Sequence, residues 1–230
     1  MRLVDVLKQE TGNQHLSTPV ADLSDLAQSR KFALDLAKSL GELDVLINNA
    51  GVFLASETRT KEGLDVRFAV NYFAPILLTE ALLPLLEKSK DPRVINLSSA
   101  AQSPVDLEVL VGNKAVTDNV AYAQSKLALT MWNNHIAKAN PKITFIPLNP
   151  GSLLNTRMVQ EAYGQHWAPV TKGADILEEL ALGDQHREKS GVYFDNDEGR
   201  YGRPHADAED EAKIEELMRL TDEVLSKLSE

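Results

Sequence analysis

Apolar residues recur along this chain at two spacings, and the alternation between the two sets out a fold. Within residues 1–12, Leu3, Val4 and Leu7 share one helical face, and Gly12 is the stop. Leu16 to Ala21 predicts a short strand that closes on Asp22-Leu23-Ser24-Asp25. Ser24 or Asp22 then caps a helix reaching Leu40, with Leu26, Ala33, Leu36 and Ala37 inward and Gly41 ending it. Leu43 to Ile47 is a compact apolar run of the kind buried in a parallel sheet, and it leads into Asn48-Asn49-Ala50-Gly51. A helical pattern from about Thr60 to Leu86 carries Asn71 among apolar neighbours, and Pro75 predicts a kink in it.

The second half repeats the scheme. Arg93 to Leu97 is another buried-strand pattern, ending on Ser98-Ser99, and a polar loop covers 103–120. A helix follows through Tyr122 and Lys126 to about Ala139. Lys142 to Ile146 predicts a third strand, ahead of Asn149-Pro150-Gly151. Residues 152–170 are mixed, with Leu153, Leu154, Met158, Val159, Tyr163 and Trp167. Helical spacing returns over 172–182, Gly191 to Phe194 reads as a last strand, and 206–228 is a charged helix with Ile214, Leu217 and Leu220 on one side. Strands alternating with helices predict one α/β domain over 1–230, built on a parallel sheet.

Composition narrows the class. At 230 residues, 43% of them hydrophobic and 25% charged, the chain is long enough for one well-buried core. A net charge of −10 argues against non-specific binding to nucleic acid or anionic membranes. The apolar stretch Tyr72 to Leu86 is interrupted by Thr79, Glu80 and two prolines, and the first residues show no extended apolar leader. The absence of cysteine excludes disulfides, thiol catalysis and thiolate metal sites, and it fits a cytoplasmic location. His15, His135, His166, His186 and His205 have no metal-ligand spacing.

The chemistry centres on Tyr122 and Lys126, four residues apart and so one turn apart on one helical face. A free phenol titrates near 10, too high for an efficient proton shuttle at neutral pH; a neighbouring ammonium favours the phenolate. Such a pair suits acid–base work on a carbonyl or alcohol. Taken singly, each polar residue has a plain structural reading: Asn71 as a helix amide, Ser99 as a strand-end hydroxyl, Asn49 and Pro150-Gly151 as turn residues. What singles them out is their order, since small and amide residues past the carboxyl ends of strands are where open α/β sheets place ligands.

That ordered set resembles the short-chain dehydrogenases/reductases. It comprises Asp22-Leu23, Asn48-Asn49-Ala50-Gly51, Asn71, Ser99, Tyr122-x-x-x-Lys126 and Pro150-Gly151, and covers the chain from about residue 16 onward. Asn149 to Asn155 and Gly191 to Asp197 resemble one oxidoreductase branch of the family. The resemblance implies a Rossmann-like doubly wound sheet and hydride transfer between NAD or NADP, NADP slightly ahead, and a small-molecule carbonyl or alcohol. It implies that Tyr122 delivers or accepts the proton and that Lys126 lowers its pKa and holds the nicotinamide ribose. It gives Ser99 the reacting oxygen, and Asn71 a water-linked relay. Asn49, Ala50 and Gly51 would line the cofactor site, Asp22 and Leu23 would meet the adenine, and Pro150 and Gly151 the nicotinamide. It further implies a homodimer or homotetramer through the Asn71 and Tyr122 helices. Residues 152–170, mostly apolar, would form the substrate lid.

One part of the family pattern is missing. A dinucleotide fold opens with a strand, a Gly-rich turn and a helix that hold the pyrophosphate. Here Thr11-Gly12 mimics the start of such a turn, but Leu16 and Thr18 stand where further glycines belong. The expected sheet therefore lacks its first two strands and first helix, as in an N-terminally truncated enzyme, and leaves Val45 to Ile47 as an open edge. Thr156 falls one place later than the family's Pro-Gly-x-x-x-Thr spacing. A second reading follows: a catalytically silent family member that acts by protein association.

Overall fold

The computed structural model describes residues 3–229. Helix α1 spans Leu3–Thr11, and Met1 and Arg2 of the expected helix lie outside the described residues. Helix α2, Leu26–Ser39, starts at Asp25, whose carboxylate accepts from the Gln28 N–H. Strands β1 (Val45–Asn48), β2 (Arg93–Leu97), β3 (Thr144–Asn149) and β4 (Phe194–Asp195) run parallel, side by side in chain order. A short β5, Arg200–Tyr201, turns back antiparallel on β4. The register pairs Asn48 with Asn96, Leu97 with Leu148 and Asn149 with Asp195, so the carboxyl ends of the strands finish level.

Both faces of the sheet are covered. On one, Val94 and Phe145 pack on Leu86 of α3 (Val66–Leu86) and Ala137 of α5 (Asp118–Ala139). On the other, Ile95, Leu97, Ile146, Leu148 and Phe194 meet Ile176 and Leu180 of α7. Helix α7 spans Val170–Leu182; the short helices α4 (Leu107–Leu110) and α6 (Arg157–Tyr163) lie in the connections, and α8, Glu211–Ser226, closes the chain. Every residue of β2 and β3 is buried, which is why their sequences are apolar runs without alternation. This is the Rossmann-like α/β arrangement expected, with a sheet of five strands.

Several boundaries differ from expectation. Residues 16–21 form no strand, and Val20 is 91% exposed. An extended segment needs a neighbour for its N–H and C=O groups, and among the described residues nothing pairs with the outer side of β1. That edge leaves Ile47 39% exposed. Helix α3 begins at Val66 rather than Thr60. Thr60 to Leu64 instead make a turn closed by an Arg59–Asp65 bridge, and Asp65 caps the helix by accepting from the Arg67 N–H at 2.9 Å. Strand β3 runs past Ile146 to Asn149, carrying Pro147 within it, and β4 starts at Phe194 rather than Gly191. The polar stretch 103–120 is not open loop, because Val109 and Leu110 enter the core. Pro75 does not break α3; a wide turn over Ala69–Phe73, with the Ala74 N–H reaching the Ala69 carbonyl, is built in just before it.

By length and composition α3 could cross a membrane, yet here it is the buried centre of the fold. Its Phe68, Tyr72 and Ile76, with Leu129 and Trp132 of α5, pack against Ile214, Leu217 and Val224 around α8. The Tyr72 and Thr221 hydroxyls meet at 2.7 Å, and Asn134 of α5 donates to the Ala208 carbonyl at 2.9 Å. Helices apolar on all sides are interior helices. This chain's own α8 and the 105–111 segment thus pack against the two helices through which a subunit contact was expected.

A buried polar ladder joins the same elements. Asn48 donates to Thr79 at 3.1 Å and to Asn96 at 2.8 Å, and Asn96 donates to Asn133 at 2.8 Å. It ties β1 and β2 to α3 and α5 just below the strand ends.

Two outcomes follow. The chain has no cysteine, and Leu129 is 1% exposed, so Leu129→Cys gives a clean probe. Its thiol stays unreactive toward a thiol reagent in the native protein and forms no disulfide between copies; ready labelling would show that α8 is not seated. Asn96→Ala orphans amide groups of Asn48 and Asn133, at about 1–3 kcal/mol for each group left unpaired. Urea unfolding should show that loss, and a midpoint equal to wild type would contradict the ladder's role.

Candidate active site

The residues beyond β1 are held by one side chain. Asn71, fully buried in the wide turn of α3, accepts from the Val52 N–H at 2.7 Å and donates to the Val52 carbonyl at 2.9 Å. Its second amide hydrogen goes to the Ser125 hydroxyl of α5 at 3.0 Å. Both amide hydrogens are thus committed to fixing the loop, and the proton relay expected of Asn71 has no free side-chain N–H to use. Gly51 is packed close against this clasp. A Cβ there would come within 3.5 Å of both the Asn71 amide oxygen and Lys126 Nζ. Asn49, Ala50 and Gly51 face a cleft of about 1150 Å³ above the strand ends, larger than the roughly 300–1,000 Å³ of an ordinary ligand pocket.

Beyond β2 the two serines part company. The Ser98 hydroxyl lies 2.7 Å from that of Thr130 and 3.1 Å from the Lys126 carbonyl, anchoring α5 to the sheet. The Ser99 side chain lies in the cleft beside the Tyr122 phenol. The Ser99 carbonyl is gripped from behind by Gln102 at 2.9 Å and by the Tyr193 hydroxyl at 3.1 Å.

Tyr122 and Lys126 both line the cleft from the first half of α5. Lys126 Nζ donates to the Leu97 carbonyl at 2.6 Å and lies 5.5 Å from the centre of the Tyr122 ring. Burial lowers the Lys126 pKa to about 8. Burial also raises the Tyr122 pKa, while a hydrogen bond from Ser99 pulls the other way and nearby Tyr163 adds to the rise. The sequence expectation, that Lys126 depresses the phenol, is not met here: desolvation dominates at both groups and favours their neutral forms.

Beyond β3, Pro150 and Gly151 line the same cleft, and Gly151 holds φ +122°, a conformation side-chain-bearing residues rarely adopt. Asp22 and Leu23 face it from the far side. The Asp22 carboxylate bonds to the Ser24 hydroxyl and N–H, which hold its pKa below the ordinary value. Thr156 also lines the cleft, but its hydroxyl accepts from the Val159 N–H at the start of α6. Leu54, Met158 and Val159 give the cleft an apolar wall. Next to it, Phe53 meets Tyr122 edge-on at 4.9 Å and stacks on Tyr163 of α6 at 5.8 Å.

The structure therefore brings to one cleft ten of the positions singled out from sequence: Asp22, Leu23, Asn49, Ala50, Gly51, Ser99, Tyr122, Lys126, Pro150 and Gly151. Asn71 stands behind them. Sequence reasoning missed Val52, Phe53 and Arg67. Buried Arg67 donates to the Phe53 carbonyl at 3.2 Å, to Asp65 at 2.8 and 2.9 Å, and to Asp118 at 2.7 Å, so it joins the loop after β1 to the start of α5. A lone arginine inside the apolar run Val66-Arg67-Phe68 was the available signal. Among the described residues no group of histidines and carboxylates is placed to hold a metal ion.

Comparison with known proteins agrees with this geometry. The family model for short chain dehydrogenases matches residues 2–167. Human retinol dehydrogenase 13 is 29% identical over 227 residues, which is 90% of this chain and 68% of that protein. Human dehydrogenase/reductase SDR family member 12 is 34% identical over 197 residues, 81% of this chain and 62% of that protein. The chain thus spans about two thirds of the length of these relatives. The NADPH complex of an Escherichia coli CFT073 protein assigned to the short chain dehydrogenases superposes with a TM-score of 0.64 at 26% identity, over 84% of this chain and 79% of that one. With the ordered motifs now gathered at the carboxyl edge of one sheet, this chain belongs to the short-chain dehydrogenase/reductase family.

Proposed function

We propose that this chain carries the acid–base half of a nicotinamide-dependent oxidoreductase acting on an apolar carbonyl or alcohol. The observation that carries the reading is the placing of Tyr122, Lys126 and Ser99 on one cleft at the carboxyl ends of β1, β2 and β3. The donor set suits the nicotinamide and its ribose: Lys126 and Tyr122 on one side, Pro150-Gly151 on the other, and Asn49 between. Bound nicotinamide supplies the hydride chemistry. NADP(H) is favoured by the NADPH complex of the E. coli neighbour, with NAD(H) the alternative.

The chain's own residues handle the proton. Tyr122 Oη gives a proton to the substrate oxygen in reduction and takes it back in oxidation, while the Ser99 hydroxyl hydrogen-bonds that oxygen and orients it. The resting phenol is kept neutral by burial, and it is only as its proton leaves that a protonated Lys126 favours the developing phenolate. Asn71 acts through position: Pro75 offers no N–H to the Asn71 carbonyl four residues back, which suits that oxygen to anchor a water-linked relay from Lys126. The apolar wall of Leu54, Met158 and Val159 suits a hydrophobic substrate, and the retinol named in the first relative is an alcohol of that class. Residues 152–170 form its lid.

A specific observation also favours the silent reading. Among the described residues lining the cleft, Lys126 is the sole cation and no Gly-rich turn is present for a pyrophosphate. Calorimetric titration of this chain with NADPH and NADH separates the two: saturable binding supports the enzyme, and no heat with either supports the association role.

For the enzyme, Tyr122→Phe lowers turnover by about 10²–10⁴-fold while cofactor affinity stays within roughly twofold. An unchanged rate would sink the assignment. A second outcome concerns pH. Unfolded Lys126 keeps its proton up to 10.5, whereas the folded, buried group releases it above about 8. Between these values the unfolded state binds more protons, so this group's contribution makes stability rise with pH, by roughly 3 kcal/mol across the window. In urea unfolding of the cofactor-free protein at pH 7.5 and 9.5, wild type gains stability relative to Lys126→Met; parallel pH responses would contradict the burial of Lys126.

A further inference from the structure

The turn after β3 is gripped by the tripeptide Asp195-Asn196-Asp197, which begins at the last residue of β4. Asn149 donates to Asp195 Oδ1 and to Asp197 Oδ2, both at 2.9 Å, and its own carbonyl accepts from the Asn196 N–H at 3.0 Å. Asn196 Nδ2 donates to the Pro150 carbonyl at 2.9 Å and to the Lys172 carbonyl at 3.1 Å. Asp197 accepts from the Ser152 N–H at 2.8 Å and from the Ser152 hydroxyl at 2.5 Å. Lys172 Nζ stands 3.8 Å from the same carboxylate. The backbone from Asn149 to Ser152 is thereby bonded at three of its polar groups, around a Gly151 whose φ of +122° gives the turn no intrinsic preference for this shape.

This grip is more than sheet support. The ladder between β3 and β4 runs through Leu148–Phe194 and Asn149–Asp195 and makes no use of the Asp197 side chain. That side chain is one-third exposed, at the rim of the site. Partial burial alone would raise the Asp197 pKa, but the Ser152 N–H and hydroxyl, the Asn149 amide and Lys172 outweigh it and hold it below the ordinary value. The carboxylate is therefore ionised at neutral pH, and its bonds to Ser152 are charge-assisted.

We infer that Asp197 is a positioning residue for the nicotinamide: through Ser152 and Asn149 it fixes the Pro150-Gly151 turn against which that ring seats. The inference rests on the oxidoreductase reading above. It goes beyond that reading by naming a group outside the cleft that sets how well one end of the cofactor is held. A positioning role differs from a general structural one in which part of the ligand it affects. Loss of Asp197 should weaken ligands that carry nicotinamide and spare those that end at the ribose.

The test is calorimetric. Wild type, Asp197→Asn and Asp197→Ala are titrated with NADPH and NADH, each beside its nicotinamide-free counterpart, 2′-phospho-ADP-ribose and ADP-ribose. The expected result is an affinity loss of roughly tenfold or more for the intact dinucleotide and less than about twofold for the counterpart, larger for Ala than for Asn. Hydrogen exchange at the Ser152 amide should quicken in both variants while exchange in β3 stays unchanged, which shows that the fold is kept. Equal losses for both ligands, or none for either, overturn the inference and leave the oxidoreductase reading standing. Absence of dinucleotide binding by wild type overturns both, since the turn then has no ring to seat.

Discussion

Both backbone polar groups of Val52 end on the side chain of Asn71, and much of the site depends on that clasp. A loop leaving a strand end has unpaired N–H and C=O groups that must find partners once water is excluded. Here one amide satisfies both and also holds Ser125, so the loop after β1, the middle of α3 and the first half of α5 become one unit. The wide turn over Ala69–Phe73 lies where Asn71 must present its amide. Gly51 can then lie close to Lys126, and the nearby Phe53 ring can brace Tyr122. Arg67 repeats the device one turn earlier in α3, on the Phe53 carbonyl.

The same enclosure sets the electrostatics. Drawing Tyr122 and Lys126 out of water moves their pKa values apart, the phenol up from its ordinary 10.0 and the ammonium from 10.5 down to about 8. The phenol is thereby the weaker acid of the two, so it does not give its proton to the lysine and keeps it for an oxygen that draws it from the cleft. Burial keeps the phenol neutral and brings the titration of Lys126 close to neutral pH. A site poised this way is matched to a reaction in which charge develops on a substrate oxygen and must be met at once by a hydrogen bond or a proton. The Leu97 carbonyl, bonded to Lys126 Nζ, keeps that side chain in place meanwhile.

Much of this was legible in the sequence because it is written in local runs. Arg93 to Leu97 can only be a buried strand, and the Tyr122–Lys126 spacing places two groups on one face whatever surrounds them. The strand-end motifs identified their own position, since amide and small residues there follow from the topology of a parallel sheet. What was illegible depends on partners distant in the chain. Leu16 to Ala21 has strand composition but no neighbour to pair with, and pairing decides the matter. Pro147 disguised the end of β3, because a proline inside a strand usually argues against one. The packing of α8 over α3 and α5 could not be seen from the charged pattern of 206–228, whose apolar stripe shows that it has a partner and not which one. Gly191 to Asp197 resembled one branch of the family, but the local run does not name the partners of Asp195 and Asp197, which lie about 45 positions earlier.

The two sides of the cleft differ in how their residues are held, and the difference has a physical cause. Tyr122 and Lys126 sit on α5 and Ser99 just past β2, and the segments around them are cross-bonded side chain to backbone. That half of the cleft needs nothing from the outer side of β1 to keep its shape. The outer side is another matter: Ile47 remains partly exposed there, and the cleft continues past it toward Asp22 and Leu23 without a cation to meet a phosphate. Apolar surface on an open strand edge favours whatever pairs with it. A segment that paired with β1 would bury that surface and lay its own carboxyl end beside Asn49 and Gly51, where a parallel sheet places the groups that bind a ligand. Affinity for the phosphates of a dinucleotide would therefore depend on what lies along that edge, whereas the placing of Tyr122, Lys126 and Ser99 would not.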